Sequence, residues 1–421
     1  MFLSRRMTGI VVNQVIAQVL TMGLAFVTGI LLVREVPKES YAYYAICVSL
    51  IAAISLVGEA GLNSVMLSRG GKLKVPSLKF TYLVSSARHF RSRITYPTAT
   101  LGGALIFVML TTTGASPGQA VAFTGLSIAS ILFLLNTGIC QNIHRLNLDF
   151  AFIRRIALAS AFARLLVLST FAYLFTLDAG SALAIGLFVY AANYFAQVQR
   201  TKKSLLSPVP QSRRYFASFS RAAKRTLPMT MLLVASEQSV ILVLALNGST
   251  TAIAEVTALA RFGIVFTLIN MLYADMVAPY IARLVHQPLV VFKRIGLCVA
   301  AYAGVGFAIW FAMHMISPFL LDLLGPEYND LSTPFSIILT GQLVLNLGYS
   351  TGYLVQARGW TKLSWSYAIF VLAWLLCGIS FLDLSSTNGA ALFMASQALP
   401  LILTQCVRVA AGLRDEYKSN G

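Results

Sequence analysis

Apolar runs long enough to cross a bilayer recur twelve times in this chain. They lie near residues 11–33, 43–66, 95–114, 119–140, 153–176, 181–199, 227–247, 252–277, 295–316, 333–356, 363–382 and 387–410. A helix needs about twenty such residues to span the hydrocarbon core, and an open strand in lipid leaves backbone groups unpaired. The pattern predicts an all-α polytopic membrane protein with about 12 transmembrane helices. Composition agrees: 57% of residues are apolar, only 11% are charged, and the mean hydropathy is +0.76. Soluble domains carry about 25% charged residues, so this chain cannot cover a water-facing surface. The first run is too long for a signal-peptide core, and Arg34-Glu35 follows it where a cleavage site would carry small residues. It reads as a retained span.

Charge placement gives the orientation. Alternate connections, counted from the N-terminus, hold 28 of the 32 Lys and Arg, whereas the intervening ones hold only Arg34 and Lys38. By the positive-inside rule both termini are expected on the cytoplasmic side. Most of the net charge of +18 is thereby a matter of topology. The densest basic stretch, Arg200 to Arg225, has eight cations, no acid, and Pro208 and Pro210 at its centre. A nucleic-acid-binding arm would need a soluble domain to present it, so the stretch reads as a cytoplasmic tether. It divides the chain into an N-terminal six-helix lobe (1–199), a basic linker (200–226) and a C-terminal six-helix lobe (227–421). Two halves of six spans suggest a parallel repeat with a substrate path between them. Outward connections are short, and Leu78 to Arg93 reads either as an interfacial helix or as a solvated basic loop.

Charges inside spans cost about 2.5–3.5 kcal/mol at the centre and each needs a reason. Arg164 lies midway along the fifth run and Glu237 midway along the seventh; Glu59, Arg261 and Asp275 lie nearer the ends of theirs. Two readings stand: a polar path in which Arg164 or Arg261 meets an anion and Glu237 or Glu59 binds a coupling ion, or structural ion pairs. Three amide pairs, Gln14 and Gln18, Asn193 and Gln197, and Gln342 and Asn346, each share a helix face by their i, i+4 spacing. They suit sugar hydroxyls in a cavity, and equally hydrogen bonds between helices. Gly348 and Gly352 form a close-packing G-x-x-x-G, Pro400 is expected to kink the last span, and Pro97, Pro228 and Pro334 fall at span starts. The five cysteines lie in apolar runs without C-x-x-C spacing, which reads as buried small apolar side chains. No metal-ligand spacing, cofactor motif or P-loop is present. A His144-x4-Asp149 spacing is the sole enzyme-like motif.

Several short motifs together resemble the O-antigen type polysaccharide flippases of the multidrug/oligosaccharidyl-lipid/polysaccharide exporter superfamily. They are Leu32-Val33-Arg34 with Pro37-Lys38-Glu39-Ser40-Tyr41, Glu59-Ala60-Gly61-Leu62 followed by Arg69, Arg145 with Asp149-Phe150, Glu237, and Leu324-Gly325-Pro326-Glu327-Tyr328. The Gly-x-Tyr usual at the start of the eighth span is replaced around Ala254 to Thr257, and Tyr41-Ala-Tyr43-Tyr44 replaces a Tyr-Gly turn.

The resemblance implies two six-helix lobes that open alternately to each side of a bacterial inner membrane. It implies a cargo of undecaprenyl-pyrophosphate-linked oligosaccharide, membrane lipids as surroundings, and a polysaccharide polymerase and export machinery as partners, with no nucleic acid. Two other functions are weighed against it: an ion-coupled drug or cation antiporter of the same superfamily, and a membrane-embedded glycan polymerase or acyltransferase.

Overall fold

The computed structural model describes residues 5–202, 205, 209–246, 250–282, 288–360 and 362–420, and every regular element among them is helical. Ten of these helices are long and apolar enough to cross a membrane. The tenth and eleventh expected spans fall outside that set. Ser332–Ala357 is long and apolar overall but falls short of the apolarity of the ten, and Ser366–Phe381 has only 16 residues. The chain is a multi-pass membrane protein that divides into two compact units, Met1–Thr250 and Thr251–Gly421.

The first unit holds α1 (Arg5–Glu35), α2 (Lys38–Glu59), α3 (Leu62–Gly70), α4 (Leu78–Thr112), α5 (Pro117–Leu146), α6 (Phe150–Leu174), α7 (Ala179–Thr201) and α8 (Arg213–Leu246). Helix α2 is its hub and touches α4, α5, α7 and α8. Its most apolar window is 67% buried, against 6% for α6, so α2 faces protein and α6 largely faces the surroundings. Small residues allow the approach. A Cβ at Gly102 of α4 would stand 2.2 Å from Ile54 Cδ1 of α2. Lipid-like surroundings also explain two of the cysteines. Cys47 and Cys140 are buried, but Cys377 and Cys406 are exposed, because an apolar position on a membrane helix need not face the core.

The second half of the basic tether is the start of α8, which runs unbroken from Arg213 through Pro228 and docks on the long polar end of α4. Phe219 is fully buried in a cluster with Phe80, Leu83, Ala87 and Phe90 of α4, and its ring stacks on Phe90 at 5.6 Å. Ser85 Oγ donates to the Val209 carbonyl at 2.8 Å, and the Ser212 amide donates to Ser86 Oγ at 2.8 Å. Burial of apolar side chains interspersed among the cations drives this docking. Contacts group α8 with α2, α3 and α4 in the first compact unit, which ends at Thr250. Leu78 to Arg93 is helical, as one of the two sequence readings had it, but continuous with the third span.

These extensions also relocate two prolines. Pro97 and Pro228 stand inside helices, not at their starts. Each removes a donor to the carbonyl four residues earlier, at Arg93 and Lys224, in the basic extensions where other donors can reach it. Where α2 ends, Ala60 and Gly61 adopt left-handed conformations that turn the chain into α3. A side chain at Gly61 would also meet Thr226 Oγ1 of α8 at 2.7 Å, so only glycine fits.

In the second unit the eighth run is not one regular helix. It comprises α9 (Thr250–Ala260), a 3₁₀ turn at Arg261–Gly263, α10 (Ile264–Leu272), a π turn at Tyr273–Val277 and α11 (Ala278–Ala282). Pro279 lacks the amide that would bond the Asp275 carbonyl, which favours irregular pairing just before it. Helices α12 (Pro288–Met315), α13 (Ser317–Leu324), α14 (Ser332–Ala357), α15 (Ser366–Phe381), α16 (Thr387–Ser396) and α17 (Ala398–Asn420) follow. Helix α14 is the hub here, against α10, α11, α12, α16 and α17. Its G-x-x-x-G lies against α17: a Cβ at Gly348 would reach Leu401 at 2.9 Å, and one at Gly352 would reach Gln405 at 3.1 Å. The last run breaks at Gln397, three residues before Pro400. Between α13 and α14, Gly325 at φ +116° makes a turn that buries Tyr328.

Candidate functional site

Arg164 is half-buried on α6, and its partners are phenols. Its Nη2 donates to Tyr44 Oη of α2 at 2.8 Å, Tyr190 of α7 supplies a second side-chain hydrogen bond, and Nε has no partner among the described residues. Gly186 of α7 lies alongside, where a Cβ would stand in ordinary contact with Nη2 at 3.7 Å. The sequence places this arrangement in simple steps. Apolar α6 carries one cation, the tyrosine-rich start of α2 brings Tyr44 alongside, and α7 presents Tyr190. Neutral phenols do not cancel the charge as a carboxylate would. The result is a positive centre inside the apolar part of the first unit.

The other charges are placed differently. Glu59 ends α2 within electrostatic reach of Arg91, whose Nη1 donates to the Gly58 carbonyl. Arg91 is 2% exposed, although its sequence position counted it among loop cations. A signal for its burial was present: Phe80, Leu83, Val84, Ala87 and Arg91 fall on one helical stripe. Glu237 is half-buried on α8 and engaged in an interaction. Arg261 is half-buried and engaged as well, and it opens the 3₁₀ turn of the broken eighth run. The side chain of Asp275 lies outside the described residues.

Sequence inspection missed Glu255, although it falls inside the run 252–277. It is 6% exposed on α9 and accepts a hydrogen bond from Thr387 Oγ1 at the start of α16.

The amides are mostly spent between or along helices. Gln197 Nε2 donates to Asn193 Oδ1 at 2.6 Å, and Asn193 Nδ2 donates to Ser160 Oγ of α6 at 3.1 Å. Asn346 accepts from Asn270 Nδ2 of α10 at 2.6 Å and donates to the Gln342 carbonyl at 2.7 Å. Gln342 itself is half-buried and lies against Gly263, where a Cβ would stand 2.6 Å from its Oε1. Gln18 is half-buried on α1, which packs chiefly on α6; the side chain of Gln14 lies outside the described residues. Asp149 of the enzyme-like motif is held by Arg200 Nε at 2.8 Å, and the His144 ring packs on Phe152 at 4.7 Å. The Asp149 amide also donates to the His144 carbonyl at 3.0 Å, as part of the turn that ends α5.

The chain matches no protein-family profile and no curated protein sequence. Solved structures do resemble it over nearly their whole length. The lipid II flippase MurJ in an inward-closed conformation superposes with a TM-score of 0.74 at 15% identity, covering 94% of this chain and 87% of that one. An inward-facing multidrug resistance MATE family transporter of the MOP superfamily gives 0.73 at 12% identity, covering 96% of each. A mutant form of the Vibrio cholerae MATE transporter VcmN gives 0.60 at 12% identity, covering 98% of this chain and 96% of that one. The chain has the fold of MOP-superfamily transporters.

Proposed function

We propose that this protein is a flippase that moves an undecaprenyl-pyrophosphate-linked oligosaccharide from the cytoplasmic to the outer leaflet of a bacterial inner membrane. In this reading twelve helices span the bilayer in two six-helix lobes, with both termini cytoplasmic. The shorter α15 and the more polar α14 serve as the eleventh and tenth spans. The observation that carries the reading is Arg164, a guanidinium in the apolar run of α6 whose hydrogen-bond partners among the described residues are phenols. Such a centre favours an anion, because a charge in a low-dielectric interior seeks its opposite.

The residues divide the work as follows. Arg164, with Tyr44 and Tyr190, meets the pyrophosphate, and Arg261 at the helix break is a second anion contact. Broken membrane helices often line substrate sites because they free backbone groups. Gln18 and Gln342, half-buried and polar, meet sugar hydroxyls together with Gln14, while the Asn193–Gln197 and Asn346 bonds hold the walls. Glu237 couples transport to a proton or cation, and Glu59 serves the same role in second place. A polysaccharide polymerase and export machinery take up the product.

The likeness to MATE transporters keeps one other reading in view, an ion-coupled drug or cation antiporter. The uncompensated Arg164 disfavours cationic cargo. A deletion strain separates the readings. Complete undecaprenyl-linked units accumulating on the cytoplasmic leaflet, with surface glycan lost, support the flippase. Normal sidedness with altered dye efflux overturns it in favour of the antiporter, and flipped but unpolymerised or unmodified units overturn it in favour of a membrane enzyme.

A further inference from the structure

A second cationic feature lies apart from Arg164, at the polar end of the first unit that the charge asymmetry assigns to the cytoplasm. A cavity of about 320 Å³ opens there, lined by Thr81, Val84, Ser85 and Arg88 of α4, Val198 of α7, and Lys202, Leu205 and Val209 of the following segment. Arg88 and Lys202 are both exposed, and neither has a side-chain hydrogen bond or ion pair among the described residues. No lining residue is acidic. The nearby carboxylate of Asp149 is taken by Arg200.

The cavity is built, not incidental. Val209 is pinned by Ser85 Oγ, and the Ser86–Ser212 bond fixes the chain just beyond, so the stretch from Val209 to Ser212 is held against α4. Basic residues facing a cytoplasm are ordinarily spread over a solvated surface. Here two of them, from separate elements, converge on one concavity whose remaining walls are valine, leucine and two hydroxyl residues. The two hydroxyls are spent on backbone carbonyls, but paired cations beside an apolar margin suit a phosphate carried on a lipid at the membrane surface.

We propose that this cavity binds a phosphate group, held by Arg88 and Lys202, and that its source is an anionic phospholipid of the cytoplasmic leaflet. The site is independent of the transport reading. A phosphate there would tie α4, α7 and the tether together.

The test is native mass spectrometry of the purified full-length protein, with phosphatidylglycerol, phosphatidylcholine and inorganic phosphate as separate probes. Wild-type protein is expected to retain phosphatidylglycerol over phosphatidylcholine. Each charge-assisted contact to a bound phosphate is worth roughly a factor of ten or more. The R88Q/K202Q variant should therefore lose about 100-fold in phosphatidylglycerol affinity, while R213Q/R214Q, outside the cavity and losing only general surface attraction, should lose far less. Unfolding temperature without lipid checks that each variant is folded. Competition by millimolar inorganic phosphate would support the site but reassign its source to a soluble phosphate. Equal losses in the two double variants, or no preference for phosphatidylglycerol in wild-type protein, would overturn the proposal.

Discussion

Replacing Arg164 tests whether its charge serves cargo or merely the fold, and the structure sets the magnitudes. Burying an arginine at mid-span costs about 2.5–3.5 kcal/mol on insertion scales. Its phenol bonds return part of that: charged hydrogen bonds contribute about 1.5–3 kcal/mol each in general, but those measured between membrane helices average about 0.6. Arg164→Gln therefore loses two modest bonds while relieving a larger burial cost, and folding should change by no more than about 2 kcal/mol either way. Transport should respond differently. Losing a charge-assisted contact to pyrophosphate at about 1.5–3 kcal/mol corresponds to a fall of roughly 10- to 150-fold. The decisive variant is R164M/Y44F/Y190F, which removes the guanidinium together with both phenol hydroxyls that bond it. It should remain folded by thermal unfolding in detergent, yet fail to restore surface glycan in a deletion strain. Full glycan display from that variant would refute the reasoning and make Arg164 a structural pin between α6 and α2.

Other expectations follow from the packing. Phe219→Ala should destabilise the first unit by about 3–5 kcal/mol, because the side chain fills a closed cluster; a tether free in water would show no change in unfolding temperature. Gly341→Ala should lower the unfolding temperature by an overpacking cost of about 1–3 kcal/mol, since the new Cβ would lie 2.4 Å from the Ala395 Cα, whereas Gly125→Ala, with open space around it, should not. Asp178 caps α7. Partial burial pushes its carboxyl up, but hydrogen bonds from the Ser181 side chain and from the Ser181 and Gly180 backbone outweigh this and hold it below the usual carboxylate range. Its contribution is present above the ordinary carboxylate pKa and lost as pH falls through the depressed one. Asp178→Ala should accordingly cost about 1 kcal/mol at neutral pH and nothing in strong acid, measured by unfolding at both pH values.

Much of this protein is written in its hydropathy. A bilayer demands long, internally bonded apolar segments, so span positions, helical class and charge asymmetry are local properties that a sequence displays directly. The helix-packing glycines at 348 and 352 and the break near Pro400 were legible for the same reason: each depends on a few adjacent residues. Partnership across helices was not legible. Spacing put Asn193 and Gln197 on one face but could not say that Ser160 would meet them. Position alone made Arg91 a loop cation, although its apolar stripe buries it beneath α2. Eight cations in the tether mask the phenylalanines that dock its second half on α4. Arg164 could be recognised as costly from the sequence. That phenols and not a carboxylate surround it depends on how α2, α6 and α7 pack. Burial and pairing are decided between elements far apart in the chain, and only the tertiary structure sets those distances.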